Sequence, residues 1–339
     1  MKTLPWTGLA FAAARIDLWP IIHALGGAES AGSASAMSWL EAGLPLDLVR
    51  SLTQTSVQPG GVVVTVGMPG WPRCLTNQPY GPVVLGTEGN LALLARPGVA
   101  VVGARACTTY GQEQAAAIAR AVVASGGVVV SGLARGVDRV AHLAAPGATI
   151  AVLGQGIESP MPSWQQALRR RILDEGGLVL SEFPCAMPAD KWTFPVRNRI
   201  VAGLAAATVV VEASHRSGAK NTAGHALRLG REVLAVPGPL GATASEGCLD
   251  LIEEGATVVR GPATVLRAAG LAATPAARPG PDTREERVLR ALGIGATPDA
   301  IAILTGLPHA EVSAALVALG LTGRVGRLPG NRYVPRGPP

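Results

Sequence analysis

The sequence predicts an α/β protein built on a doubly wound, mostly parallel sheet, and three observations predict it. Short β-branched runs alternate with helical stretches from Val99 to Val236, the runs are apolar along their whole length, and glycines and cations recur at their carboxyl ends. Continuous apolar runs suit strands buried on both faces, and strict strand-helix alternation gives a parallel sheet covered by helices.

The elements follow in order. Val99 to Gly103 (VAVVG) reads as a strand, followed by a helix near Gly111 to Ser125; Val128 to Gly132 (VVVSG) is followed by a helix at Val137 to Ala145, and then comes the strand Thr149 to Gly154. Three further pairs are a helix at Trp164 to Asp174 with a strand at Leu178 to Ser181, a helix at Asn198 to Ala205 with a strand at Thr208 to Glu212, and a helix at Thr222 to Leu229 with a strand at Glu232 to Val236. This order is Rossmann-like, and such sheets bind ligands at the carboxyl ends of their strands. Before residue 60 the pattern is helical and apolar, as in Ser38 to Thr53, which predicts a small N-terminal helical domain. Pro and Gly cluster in Ala268 to Thr283, the signature of a linker. Beyond it, helices near Arg284 to Leu292, Pro298 to Thr305 and Ala310 to Leu319, then a hairpin-like tail from Leu321 to Pro335, make a winged-helix pattern. The expected division is therefore 1–60, a core over 61–267, a linker over 268–283 and a C-terminal winged-helix domain over 284–336.

Composition narrows the class. The chain has 339 residues, 48% of them hydrophobic, enough for two or three domains with buried cores. Met1 to Ala14 lacks the pattern of a secretory signal, and no segment approaches the roughly 20 apolar residues of a membrane span, so the expected location is the cytoplasm, with no membrane partner. Cys74, Cys107, Cys185 and Cys248 are too scattered for a zinc site or a disulfide framework, and neither metal nor cofactor is expected. Arginine outnumbers lysine 26 to 3, a compositional bias that makes arginine counts alone uninformative. The distribution of charge says more: residues 96–235 carry about +6, equal to the net charge of the whole chain. A cationic core favours a polyanionic partner.

The strand ends carry the chemistry. The first ends in Gly103-Ala104-Arg105, with Tyr110-Gly111 opening the next helix: glycine admits close backbone approach, the helix start is partially positive, and Arg105 can fork onto phosphate oxygens. A tight turn with a surface arginine explains the same residues. The loop is not the GxGxxG fingerprint, and no acidic residue takes the ribose-binding part, which disfavours NAD. The second strand ends in Ser131-Gly132-Leu133-Ala134-Arg135-Gly136, where two glycines flanking an arginine resemble a backbone nest for a second phosphate, with Ser131 as a further donor. Asp138 and His142, four residues apart, read either as an acid-base pair or as a helix-start aspartate with a structural histidine.

The most loaded stretch is Lys191-Trp192-Thr193-Phe194-Pro195-Val196-Arg197-Asn198-Arg199. Cations that track phosphates, interleaved with aromatics on which bases stack, suit a single strand. The alternative makes Trp192 and Phe194 core plugs and pairs the arginines with Glu182 or Glu212. After the next strand, Ser217, Gly218 and Thr222 cluster at a helix start as caps or phosphate donors, with Lys220 beside them.

The runs VAVVGARACTTYG, VSGLARGVDRVAH, TIAVLGQGIE, LSEFP with FPVRNRIVAGL, and GREVLAVPGPL with GCLDLIEEGA closely resemble the bacterial DNA-processing protein A family (DprA/Smf), with a weaker match over Trp71 to Leu94. The resemblance implies a protein that binds single-stranded DNA without sequence specificity during natural transformation, protects it and helps load the RecA recombinase, with no catalysis. It implies a homodimer formed through the core, around Cys248 to Val259. The family's DNA-contacting arginine maps to Arg105 and its contacting lysine to Lys191. Ala104 stands where the family has serine, so a hydroxyl donor is missing, and the family's SGSLxTA run is altered to Ser217-Gly218-Ala219-Lys220-Asn221-Thr222-Ala223, which loses a contact at Ala219 and offers Lys220 as a new one.

The expected nucleic-acid contacts are therefore Gly103, Ala104, Arg105, Ser131, Gly132, Arg135, Gly136, Lys191, Arg197, Asn198, Arg199, Ser217, Gly218, Lys220 and Thr222. In the winged-helix segment, His309 to Leu319 contains one acid and no Lys or Arg, so contacts to DNA are expected from Arg324, Arg327, Arg332 and Arg336 of the tail, unless the domain binds protein. The competing reading is a nucleotide-processing hydrolase of phosphoribohydrolase type with Glu212 or Asp138 as acid-base group; the PGGxGT run of such enzymes is missing at Val236 to Leu240. A recombination scaffold dominated by its RecA interface is a third.

Overall fold

The computed structural model describes residues 16–45, 48–49, 62–272, 283–292 and 296–335. Parts of the expected N-terminal helix (Ser38 to Thr53) and of the linker, together with Arg336, lie outside the described residues. The chain divides into two compact units between residues 273 and 274.

The first unit is organised by a nine-stranded sheet, among the described residues, in the order β1-β2-β6-β5-β4-β3-β7-β8-β9. Its strands are β1 (Val62–Thr65), β2 (Val84–Gly89), β3 (Gly98–Gly103), β4 (Val128–Ser131), β5 (Thr149–Val152), β6 (Leu178–Ser181), β7 (Ala205–Val211), β8 (Glu232–Ala235) and β9 (Thr257–Val258). From β6 to β9 across the sheet every pairing is parallel; β1 and β2 form an antiparallel extension on the β6 edge. β4, β5 and β6 are buried along their whole length, as continuous Val/Ile/Leu runs require. Each fully buried valine or leucine there contributes roughly 1.5–3 kcal/mol.

Among the described residues, the helices before the sheet include α1 (Trp19–Ala24), α2 (Ala28–Ser33) and α3 (Ala36–Glu41). Their apolar faces, with Leu18, Ile22 and Trp39, form one cluster with Val66, Val83 and Val84, so these helices join the sheet's unit through its β1-β2 edge. The covering helices are α4 (Thr109–Ala124), α5 (Val137–Leu143), α6 (Ser163–Asp174), α7 (Thr193–Leu204), α8 (Gly218–Arg228), α9 (Thr243–Glu253) and α10 (Pro262–Ala268). They bury the two faces in separate cores, with Ala100, Val102 and Ile200 in one and Val99, Val101 and Ile118 in the other, as the alternation of side chains along β3 dictates.

The strand order reverses between β3 and β7, the point at which open α/β sheets leave a crevice at the carboxyl ends of their strands. Gly103 makes the close approach of these two strands possible: a Cβ there would lie 1.9 Å from the Val211 carbonyl oxygen.

The second unit holds α11 (Arg284–Leu292), α12 (Pro298–Thr305), α13 (His309–Leu321) and the antiparallel hairpin β10 (Val325–Leu328) with β11 (Arg332–Pro335), a winged helix. Gly306, left-handed at φ 68°, ends α12, and the next helix leaves at 113°. That angle is the one expected between the two helices of a helix-turn-helix.

Two differences from the sequence reading have physical causes. α7 begins at Thr193 rather than Asn198, because Pro195 occupies the first turn, where the missing N–H costs nothing. The antiparallel strand β2 (VLGTEG) is interrupted by glycine, so it carries no β-branched run; Gly89, left-handed at φ 105°, brings it close to the Gly177 carbonyl. No single helix among the described residues is long and apolar enough to cross a membrane.

Candidate nucleic-acid interface

At the β3-β7 crevice lies an open cavity of about 800 Å³. Its lining includes Gly103, Ala104 and Arg105 from the loop after β3, Gly132 and Asp138 from the loop and helix after β4, and Lys191, Phe194, Arg197 and Asn198 from α7 and its approach. Arg216, Ser217, Gly218, Asn221 and Thr222 close it from the loop after β7 and from α8. Four cations thus face a single carboxylate, Asp138.

That carboxylate has a specific task. Asp138 Oδ2 accepts hydrogen bonds from the backbone N–H of Gly132 (3.0 Å) and Ala134 (3.3 Å). The nest expected to hold a second phosphate therefore holds an anion supplied by the protein. Leu133, between those donors, has φ 56°, and its N–H is bonded to His142 Nε2 at 3.3 Å. Thr149 Oγ1 donates to the Val129 carbonyl and so accepts from His142 Nδ1, 2.7 Å away. Both ring nitrogens are then satisfied only by a neutral imidazole, and burial lowers the His142 pKa to about 3. Asp138 and His142 are the helix-start aspartate and structural histidine of the alternative reading.

The start of α4 is occupied in the same way. Glu212, at the end of β7 with φ 54°, turns its carboxylate back to accept from the Thr108 N–H at 2.8 Å and from the Thr108 hydroxyl. Gly111 makes room for it, since a Cβ there would lie 2.4 Å from Glu212 Oε2.

Arg197 is buried behind the cavity wall. Its Nη1 donates to the carbonyls of Gly132 (2.6 Å) and Val152, and a Cβ at position 132 would lie 2.5 Å from that guanidinium, which is why glycine stands there. Burial lowers the Arg197 pKa to about 10, with Asp138 opposing the shift and Arg105 adding to it, so the group stays charged at neutral pH. Burial raises Asp138, against the pull of Arg197 and the two N–H donors. In front of Arg197, Arg105, Lys191 and Arg216 are exposed. The Arg105 guanidinium lies 5.8 Å from the centre of the Phe194 ring, a cation-π contact that keeps both at the cavity mouth. Phe194 in turn rests on Gly154, where a Cβ would be 2.8 Å from the ring.

α8 supplies the remaining donors. Ser217 caps it by accepting from the Lys220 N–H, while Asn198 Nδ2 bridges from α7 to Asn221 Oδ1 at 3.1 Å. Gly218 and Thr222 line the cavity, with Ala219 buried beside them.

Of the fifteen residues expected from the sequence, the structure brings ten to this cavity: Gly103, Ala104, Arg105, Gly132, Lys191, Arg197, Asn198, Ser217, Gly218 and Thr222. It places five elsewhere. Ser131 is buried and donates to the Val101 carbonyl at 2.7 Å, tying β4 to β3. Arg135 stacks its guanidinium 5.1 Å from the Trp164 ring centre. Gly136, left-handed at φ 71°, is the close-approach point of two loops, where a Cβ would lie 2.1 Å from the Ala104 carbonyl oxygen. Arg199 is buried against Glu182 in an ion pair. Lys220 pairs with Asp250 at 2.7 Å and reaches Glu254 at 3.9 Å, linking α8 to α9.

Sequence reasoning left Phe194, Arg216 and Asn221 out of the expected contacts. Phe194 was visible in the loaded stretch Lys191 to Arg199, and Arg216 stands one residue before the run Ser217 to Ala223; Asn221 gave no signal of its own. Trp192 stacks edge-on against Phe183, with centroids 5.9 Å apart, and does not line the cavity. In the winged helix, Arg324 is paired with Glu286 at 2.8 Å, and Arg327 bonds Asn331 and lies over Tyr333.

The family profile described as DNA recombination-mediator protein A matches residues 62–270, and that of the DprA winged helix domain matches residues 272–331. The chain belongs to the DNA recombination-mediator protein A family. Within it, the chain is 39% identical to protein Smf of Escherichia coli (strain K12) over 274 residues, 76% of this chain and 73% of that one. It is 43% identical to the DNA processing protein DprA of Streptococcus pneumoniae (strain R6) over 188 residues, 55% of this chain and 66% of that one. The X-ray structure of DNA processing protein A from S. pneumoniae superposes with a TM-score of 0.69 at 31% identity, covering 79% of this chain and 98% of that one. A structure of DNA processing protein A from Helicobacter pylori, solved for its single-stranded DNA binding mode, superposes with a TM-score of 0.55 at 26% identity, covering 61% and 95%.

Proposed function

We propose that this family member binds single-stranded DNA in the β3-β7 cavity without reading its sequence, protects incoming strands during natural transformation and helps load RecA onto them for recombination. The observation that carries the reading is the convergence of Arg105, Lys191 and Arg216, backed by buried Arg197, around the half-exposed ring of Phe194. Cations provide sequence-independent grip on phosphates, and an aromatic face accepts any base. The H. pylori relative, whose structure addresses single-stranded DNA, supports the same ligand for this chain.

The reading includes action in the cytoplasm and no chemistry on the DNA. In its favour, the acids that a hydrolase would use are committed elsewhere: Asp138 to the Gly132-Ala134 loop and Glu212 to Thr108. It also includes a homodimer formed through the core, for which the β9 edge offers a surface near Cys248 to Val259: Thr257 and Val258 are both exposed there.

The test is a titration of labelled single- and double-stranded oligonucleotides at two salt concentrations, with the wild type and an Arg105→Ala, Lys191→Ala double variant. Tight binding of the single strand that weakens with salt and collapses in a folded double variant is expected. Equal affinity of that variant removes the cavity from the role.

A further inference from the structure

In its second unit the chain carries a helix that is apolar on opposite sides. α13 buries Val312, Ala315, Leu316 and Leu319 in the winged-helix core. Directly opposite, Ala310, Ala314, Val317 and Leu321 are exposed, Val317 at 63% and Leu321 at 85%. At 100° per residue these four fall within about 60° of one another, at the 4-3-4 spacing of a coiled-coil seam. The preceding helix adds exposed Ile303 (83%) and Leu304 (69%). A helix apolar all round is normally covered on all sides. This one occupies the position that reads the major groove in a DNA-binding winged helix, yet it contains no Lys or Arg.

We infer that the α13 seam pairs with the α13 seam of a second copy of this chain, antiparallel about a two-fold axis midway between residues 315 and 316. The sequence of the seam selects this occupant. About that axis Ala310 faces the second copy's Leu321 and Ala314 faces its Val317, so a small side chain meets a large one at every level and the helix separation stays uniform. A parallel pair sets Ala on Ala and Leu on Leu and leaves the two ends unequally spaced. The charges agree. Glu311 is the only formal charge of α13 at neutral pH, and the two-fold places it opposite Gly320. The two Glu311 positions are then roughly 13 Å apart along the axis at 1.5 Å rise per residue, beyond the ~8 Å Debye length of physiological salt.

An isologous contact of this kind needs the same patch on both copies and closes on itself. A seam of this length covers a few hundred Å² per copy, below the ~800 Å² of a standard stable interface. The pairing is therefore reversible and strengthens where chains are crowded, for example side by side on one polymer.

The experiment uses the full chain in two single variants, Ala314→Cys and Val317→Cys, carrying tags of different size. Mild oxidation of the mixture is expected to give a mixed disulfide at least tenfold faster than either variant alone forms a homodimer, with the wild type setting the background from Cys74, Cys107, Cys185 and Cys248. Faster homodimer formation by Ala314→Cys alone, or a mixture no better than background, overturns the inference. Sedimentation of Val317→Glu gives an independent reading, because this exposed position tolerates charge in the single chain. At least a tenfold weaker association beyond the core homodimer in the folded variant supports the seam, and unchanged association beyond that homodimer refutes it.

Discussion

The carboxylate of Asp138 sits 3.0 Å from the backbone nitrogen of Gly132, and this one relationship shapes the cavity. It holds the loop after β4 closed and keeps the oxygen of Gly132 turned towards Arg197, whose Nη1 lies 2.6 Å away. The loop, the aspartate and the buried arginine are therefore one unit, and disturbing any of them disturbs the other two.

Asp138→Ala strands the buried N–H of Gly132 and the part-buried N–H of Ala134 and leaves Arg197 without its opposing charge. The expected loss is roughly 3–5 kcal/mol of unfolding free energy, in the range of broken buried ion pairs. Chemical denaturation followed by circular dichroism reads it. A loss below 1 kcal/mol contradicts the role given to Asp138.

Exposed and buried cations should separate in a salt titration. Each phosphate contact on a single strand contributes about 0.7 to the slope of log K against log salt. Arg105→Ala and Arg216→Ala are each expected to reduce the slope by about that amount. Lys220→Ala, whose ammonium is held by Asp250, should leave it unchanged. Arg199→Ala should also leave the slope unchanged while costing several kcal/mol of stability, because it abandons buried Glu182.

Phe194→Ala should weaken binding by a different route. Base stacking is worth roughly 1–3 kcal/mol per base, a 5- to 150-fold loss of affinity, and has little dependence on salt. The same titration should show a parallel line displaced downwards. Gly154→Ala, which drives a Cβ into the ring, should reproduce part of the shift.

Acid should loosen the fold through His142. Its pKa falls from 6.5 to about 3 on folding, so the unfolded chain takes up a proton that the native state refuses. This stability is fully present above pH 6.5 and is lost as pH falls towards 3, at up to about 1.4 kcal/mol per pH unit. His225, lowered to about 4 by burial and by Arg228, acts in the same direction. Asp138 and Glu182, raised by burial, act in the opposite direction: their contribution declines as pH rises through their shifted values. Unfolding curves of wild type and His142→Gln at pH 7.5 and 5 isolate the histidine. The wild type should lose more on acidification than the variant.

The central strands were legible because VAVVG, VVVS and LVLS are short, rich in valine and set between helical stretches, which suits strands covered on both faces. The start of α7 was less so, since Pro195 reads as a boundary until its place in the first turn is known. At the site, residue types and loops were readable but directions were not. Arg197 and Arg199 look equivalent in FPVRNR, yet two residues on a helix point about 200° apart, which turns one to the cavity and the other to Glu182. Arg135 and Lys220 were likewise claimed by Trp164 and Asp250, partners about 30 residues away along the chain. The nest after β4 was read as empty because a sequence does not show that its anion lies four to six residues further on.

Filling the start of α4 and the nest after β4 from within has a consequence for selectivity. A free mononucleotide arriving at the crevice finds the Gly132 and Ala134 amides already bonded to Asp138 and the Thr108 amide to Glu212, which leaves the cations to hold its phosphate. Bound as proposed, a polymer engages those cations together and bears the loss of freedom once, so length itself would become the property that the crevice recognises.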